Sequence, residues 1–126
     1  MRRTPVNLYA IERIMEIDLP IGEKNDSGVF THPFIVKVMV SEYAHILIKL
    51  ARSESGFHYG VSIETLTGCS TFAPSERWNC HKRKIEALEA ALNHIERNQM
   101  ASRYRSAIET ARRELNKYRY EQLTLF

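Results

Sequence analysis

The sequence has 126 residues, of which 44% are hydrophobic and 26% charged, an average composition for a water-soluble protein. A chain of this length can bury one core without a metal or disulfides, and no apolar run approaches the roughly 20 residues of a membrane span. The net charge is +3 and the pI is near 9.0, which permits contact with nucleic acid without requiring it.

These totals predict one domain, which we assign to residues 1–120, and the last residues, 121–126, are assigned to a short tail. Met1-Arg2-Arg3 leads into Thr4-Pro5-Val6-Asn7, where a signal peptide would have its apolar core. We therefore expect a cytoplasmic protein without membrane contact. Cys69 and Cys80 fall outside any CxxC pattern and are expected to be reduced structural thiols.

The sequence pattern at the N-terminal end of the chain fits more than one type of secondary structure. Residues Leu8 to Ile17 have helical spacing and predict a short helix, although a strand from Ile14 to Ile17 fits the same residues. Residues 19–28 supply Pro, Gly, Asn and Asp in quick succession, which is typical of a loop.

Four alternating segments then predict an antiparallel meander. In the first, Phe34 to Val40, the apolar residues Phe34, Val36, Val38 and Val40 share one face. The others follow after turn residues and cover His45–Leu50, Phe57–Glu64 and Cys69–Phe72. Pro74 ends the last one, because proline cannot donate to a sheet.

Two helices complete an α+β fold. The first, from Lys84 to Glu96, has apolar residues at helical spacing and three alanines. Ser102 is predicted to cap a second helix. The opposite side of this second helix is rich in arginine. Its apolar face carries Tyr104, Ile108, Ala111, Leu115 and Tyr118. Between His81 and Glu121 there are ten Lys or Arg against six Asp or Glu, so the positive charge is concentrated here.

The sequence ends with Gln122-Leu123-Thr124-Leu125-Phe126. Gln-Leu-x-Leu-Phe resembles the pentapeptide by which bacterial polymerases and repair proteins dock on the DNA sliding clamp. The resemblance covers five residues and implies a partner, the sliding clamp. It implies that Leu125 and Phe126 enter an apolar pocket, that Leu123 lines its rim and that Gln122 fixes the register. The alternative is that these residues pack on the protein's own core.

The basic residues are the candidates for contact with nucleic acid, because Lys and Arg pair with phosphates. His81 to Lys84 is the densest basic cluster, and it lies beside Trp78, which could stack on a base. The alternative is a solvated helix face balanced by glutamates. The candidate nucleic-acid-binding residues are Lys82, Arg83, Lys84, Arg105, Arg112 and Arg113.

No pattern in the sequence predicts a catalytic site, a metal site or a cofactor. A zinc site from His58, Cys69, Cys80 and His81 matches no known spacing and is disfavoured. We expect a non-enzymatic accessory protein of bacterial, phage or plasmid origin that acts in replication or repair at the sliding clamp. The alternative is a small DNA-binding protein, single-strand specific by loose analogy of architecture, whose tail packs internally.

Overall fold

The structure is a computed structural model that describes residues 6–8 and 11–124. The described residues form a five-stranded sheet in the order β1-β2-β3-β4-β5. In chain order the elements are β1 Val6–Asn7, α1 Ile11–Glu16, β2 Phe34–Val40, β3 Ala44–Ser53, β4 Gly56–Thr65, β5 Gly68–Phe72, α2 Lys84–Arg97, a 3-10 helix Gln99–Tyr104 and α3 Arg105–Thr124.

The predicted α+β fold is confirmed: β2 to β5 form the antiparallel meander, α2 and α3 follow it, and α1 is a short N-terminal helix. Strand β1 was not predicted. It has two residues and pairs in parallel with β2, where Val6 lies opposite Val36. A strand of two residues is too short to show a pattern of alternating residues in the sequence. It forms because the edge of β2 offers free backbone groups for pairing.

The prediction that Val40 shares the buried face of β2 is wrong. Phe34, Val36 and Val38 are buried, but Val40 is 49% exposed. The pairing of β2 with β3 shifts between Lys37 and Met39, so β2 contains a bulge. An extra residue in one strand reverses the alternation beyond it. Val40 therefore lies opposite the exposed His45 instead of facing the core.

The core lies between the sheet and the helices. Ile48 of β3 and Val61 of β4 lie opposite each other, and both are buried against apolar residues of α2 and α3. The predicted apolar positions of α2 are buried, namely Ile85, Leu88, Leu92 and Ile95. Ser102 does not cap α3, because a 3-10 helix occupies that position and α3 begins at Arg105.

Part of the opposite face of the sheet is also covered. There, residues 24–30 form a small hairpin that packs beside the connection from β5 to α2. The Phe30 ring lies 5.4 Å from the ring of His58, which projects from β4. This second layer keeps His58 at 1% exposure although it points away from the main core.

Candidate functional site

Residues 122–124, the first three of the Gln-Leu-x-Leu-Phe peptide, continue the backbone of α3. That helix extends to Thr124, so the backbone of Gln122 and Leu123 is helical. Leu125 and Phe126 lie outside the described residues. The last four carbonyls of a helix have no intrahelical partner, so a final turn opens at little cost.

Interhelical contacts fix where this end of α3 lies. Arg112 contacts Glu96 and Asn93, and Arg119 contacts Glu89, so α3 is antiparallel to α2. From Arg119 to Thr124 the helix rises about 7.5 Å, and from Glu89 back to Lys84 the rise is the same. The backbone end of α3 is therefore level with the beginning of α2, beside the basic cluster.

Within that cluster, Lys84 has a structural partner. Its Nζ donates to the carbonyl of Ile14 at 3.0 Å and also to the carbonyl of Ile17. Lys84 thus binds one carbonyl in the last turn of α1 and the carbonyl of the residue that follows α1, where a helix end favours a cation. Arg83 pairs with Glu86 at 3.0 Å, while Lys82 is exposed.

The arginines of α3 fall into two groups. Arg112 is bound by Glu96 and Asn93 of α2, and its side chain is 24% exposed. Arg105 and Arg113 are exposed to solvent. From Arg105 to the end of α3 is about 29 Å at 1.5 Å per residue, so Arg105 lies far from Lys82. The six predicted residues do not form one continuous patch.

The connection from β5 to α2, residues 73–83, carries Trp78 and is called the Trp78 loop below. Its backbone is fixed on β4 by Asn79, whose Oδ1 accepts from the Tyr59 N–H at 2.8 Å and whose Nδ2 donates to the Tyr59 carbonyl at 3.2 Å. Asn79 has φ of +42°, a conformation that asparagine tolerates better than most residues. The Asn79 side chain thus makes the two hydrogen bonds to Tyr59 that a neighbouring strand would otherwise make.

His58 holds the loop from below. Its Nδ1 lies 2.9 Å from the Trp78 carbonyl, and its Nε2 lies 2.8 Å from Ser53 Oγ. A carbonyl can only accept, so Nδ1 donates to Trp78 and Nε2 accepts from Ser53. Ser53 Oγ also accepts a hydrogen bond from the Ser55 N–H. Ser53 is buried, with 7% of its surface exposed. This buried chain joins a hairpin turn to the Trp78 loop, a structural role that sequence spacing did not indicate.

Glu76, in the same loop, forms a salt bridge with Lys24 of the small hairpin. The hydrogen bond from Lys24, and then its charge, lower the pKa of the Glu76 carboxyl below its ordinary value. Gly28 approaches so closely that a Cβ there would lie 3.0 Å from Glu76. The carboxylate of Glu76 is therefore bound to Lys24 within the protein.

An open cleft of about 400 Å³ lies at the turn between β3 and β4. It is lined by Lys82 of the Trp78 loop together with Arg52, Phe57, Glu54 and other residues of the turn. The Arg52 guanidinium lies 5.9 Å from the centre of the Phe57 ring and donates to the Leu19 carbonyl at 3.1 Å. The cleft is thus open and polar, with Arg52 and Lys82 as positive side chains and Glu54 as a negative one.

Phe57 and Tyr59 of β4 are partly buried and pack against the core. Burial raises the pKa of the Tyr59 hydroxyl, and the charge of Arg97 partly offsets this effect. Both ring nitrogens of His58 are occupied, which argues against the zinc alternative. Within residues 6–8 and 11–124, no three His, Cys, Asp or Glu side chains are grouped to hold a metal ion.

Among the described helices, none is long and apolar enough to cross a membrane. Comparison of this chain with protein-family models, with curated proteins and with solved structures finds no match.

Proposed function

We propose that this chain is a cytoplasmic accessory protein of DNA replication or repair, recruited to the bacterial sliding clamp through Gln122, Leu123, Leu125 and Phe126. The observation that carries the proposal is the complete Gln-Leu-x-Leu-Phe pattern of the last five residues. In this proposal the domain itself performs no catalysis.

The position of the peptide supports this function. The end of α3 is level with the beginning of α2, so a clamp bound there would approach Lys82 and Arg83. Clamps encircle duplex DNA, and basic residues beside the docking peptide would face its phosphates. This favours Lys82 and Arg83 over Arg105 as residues that contact DNA at the clamp.

Docking requires a local change of backbone. A clamp-bound peptide is extended, whereas residues 122–124 continue α3. Unwinding three residues at a helix end breaks only the few hydrogen bonds that their N–H groups donate, and water replaces these bonds, so the cost is small. Burying two large apolar side chains contributes roughly 3 to 6 kcal/mol, which exceeds that cost.

The test is calorimetric titration of a bacterial sliding clamp with the full chain and with a Leu125→Ala/Phe126→Ala variant. We expect micromolar binding by the native chain and a loss of affinity of about a hundredfold to ten-thousandfold in the variant. Thr124→Ala is the matched control, because the third position of the peptide faces outward and should tolerate alanine. No binding by the native chain would refute the proposal.

A second outcome would favour a DNA-binding protein whose tail packs on its own core. In that case the Leu125→Ala/Phe126→Ala variant would melt several degrees lower, as expected when about 2 kcal/mol of packing is lost from a domain of this size. Clamp docking instead predicts an unchanged melting temperature.

Two roles at the clamp remain distinct. The protein either brings a DNA-binding surface to replicating DNA or competes with the polymerase for the clamp pocket. Loss of DNA binding with retained clamp binding in a Lys82→Ala/Arg83→Ala variant would support the first role. Inhibition of replication by the isolated pentapeptide would support the second.

A further inference from the structure

We propose that the Trp78 loop binds single-stranded nucleic acid, with one base stacked on the Trp78 indole and neighbouring phosphates at Arg77 and Lys82. This inference goes beyond recruitment to the clamp and does not depend on it. It assigns the ligand to one loop, whereas the sequence distributed basic candidates along two helices.

The first argument is the exposure of the indole. Trp78 is the only tryptophan of the sequence and is 68% exposed. Tryptophan is largely buried in most folded proteins, and its large flat ring contributes strongly to binding when it is left at the surface. An unpaired base offers the complementary flat face, and every base can stack in this way.

The second argument is the rigidity of the loop that carries this ring. The Trp78 carbonyl accepts from His58, and the Asn79 amide pairs with both backbone groups of Tyr59. Farther along, His81 exchanges two backbone hydrogen bonds with Phe57, at 2.7 and 2.8 Å. A loop fixed at these points loses little conformational freedom when a ligand binds.

Contacts with the small hairpin fix the other end of the Trp78 loop. The Phe30 N–H donates to the Pro74 carbonyl at 3.0 Å, and the Glu76 N–H donates to the Gly28 carbonyl at 2.9 Å. The exposed Trp78 ring therefore projects from a backbone that is fixed on both sides.

The third argument is charge. Arg77 and Lys82 are exposed, and among the described residues neither has a carboxylate within salt-bridge distance. The nearby acidic groups Glu76 and Glu86 are paired with Lys24 and Arg83. Glu54 lines the same cleft as Lys82 and limits the positive surface there. The exposed charge beside Trp78 thus favours a polyanion.

A single strand fits this surface better than a duplex or a small molecule. In a duplex the bases already stack on each other, so the indole could not reach a base face without unpairing. A small molecule would need a concave pocket that buries most of its surface, whereas Trp78 projects outward. A flexible strand can place a base on the ring and its phosphates on Arg77 and Lys82 at once.

The single tryptophan makes the test direct. A short oligothymidylate should quench the intrinsic fluorescence of the full chain, and the affinity should fall as salt rises. In a plot of log affinity against log salt concentration, the slope should become less steep by about 0.7 for each phosphate contact that Arg77→Ala or Lys82→Ala removes. A blunt duplex of mixed sequence, used as competitor, should bind much more weakly.

Variants are compared by anisotropy of a labelled oligothymidylate. Trp78→Ala should weaken binding roughly 5- to 150-fold, and Trp78→Phe should retain part of the affinity. Tyr120→Ala is the matched control, because Tyr120 is 69% exposed on α3 and lies outside the loop. The Leu125→Ala/Phe126→Ala variant should bind the oligonucleotide normally, which separates this inference from the clamp proposal.

Three outcomes would overturn the inference: no quenching of the native chain, equal competition by duplex, or equal affinity of Trp78→Ala and the native chain. Unfolding does not confuse the test, because the Trp78 side chain is exposed and its carbonyl is retained in each variant. Circular dichroism melts of Trp78→Ala and Trp78→Phe should match that of the native chain.

Discussion

Replacing Arg112 with alanine should remove one of the polar links between α2 and α3. Arg112 donates to the Glu96 carboxylate at 3.2 and 3.0 Å and to Asn93 Oδ1 at 2.8 Å. Hydrogen bonds with charged partners contribute about 1.5 to 3 kcal/mol when buried. The Glu96 side chain is 42% exposed, so solvent screening reduces the expected loss to about 1 kcal/mol or slightly more.

The assay is thermal unfolding followed by circular dichroism. At about 2.1 cal/mol/K of unfolding entropy per residue, a domain of this size loses roughly 4 °C of melting temperature per kcal/mol. We therefore expect Arg112→Ala to melt about 4 to 6 °C lower. Arg113→Ala is the matched control, because Arg113 is the exposed neighbour, and its melting temperature should be unchanged.

The same pair of variants tests whether the arginine face of α3 binds DNA. If it does, both Arg112→Ala and Arg113→Ala should weaken binding to DNA. A structural role for Arg112 predicts lower stability with unchanged affinity. An unchanged melting temperature together with reduced DNA binding would refute our interpretation of the salt bridge.

Three further predictions concern the Trp78 loop and its supports. Because the Glu76 pKa lies below its ordinary value of 4.5, the pair with Lys24 stabilises the fold above that pH and is lost as pH falls through the folded pKa; Lys24→Met should therefore melt lower than the native chain at neutral pH but not in acid. In Gly60→Ala the new Cβ would lie 2.4 Å from the Phe72 carbonyl, so chemical denaturation should show a loss of several kcal/mol, about the cost of overpacking with a backbone shift. Asn79→Ala should weaken oligonucleotide binding and increase amide exchange in the loop, because β4 loses its side-chain partner.

The amino-acid pattern determined most of the secondary structure. Alternation in β3 and β4 and the apolar spacing of α2 follow from the periods of strands and helices, which are local properties. The bulge in β2 was not predicted, because it depends on how β3 pairs with it. The exposure of Val40 could be seen only after that register was known.

The candidate site was predicted less completely than the fold. The sequence identified the pentapeptide and the basic cluster beside Trp78, because residue type alone suggests their chemistry. It also assigned Lys84 and Arg112 to nucleic acid, although each has partners inside the protein. Charge is visible in a sequence, but whether a charge is free depends on residues distant in the chain.

The sequence by itself therefore determined most of the element types, the position of the excess positive charge and the peptide proposed to bind the clamp. Tertiary structure decided which lysines and arginines stay exposed, and it brought the end of α3 level with the beginning of α2. It also fixed the Trp78 loop through His58 and Asn79, which lie about 20 residues apart in sequence. Such contacts depend on how strands pair and pack, and a local pattern of residues does not contain that information.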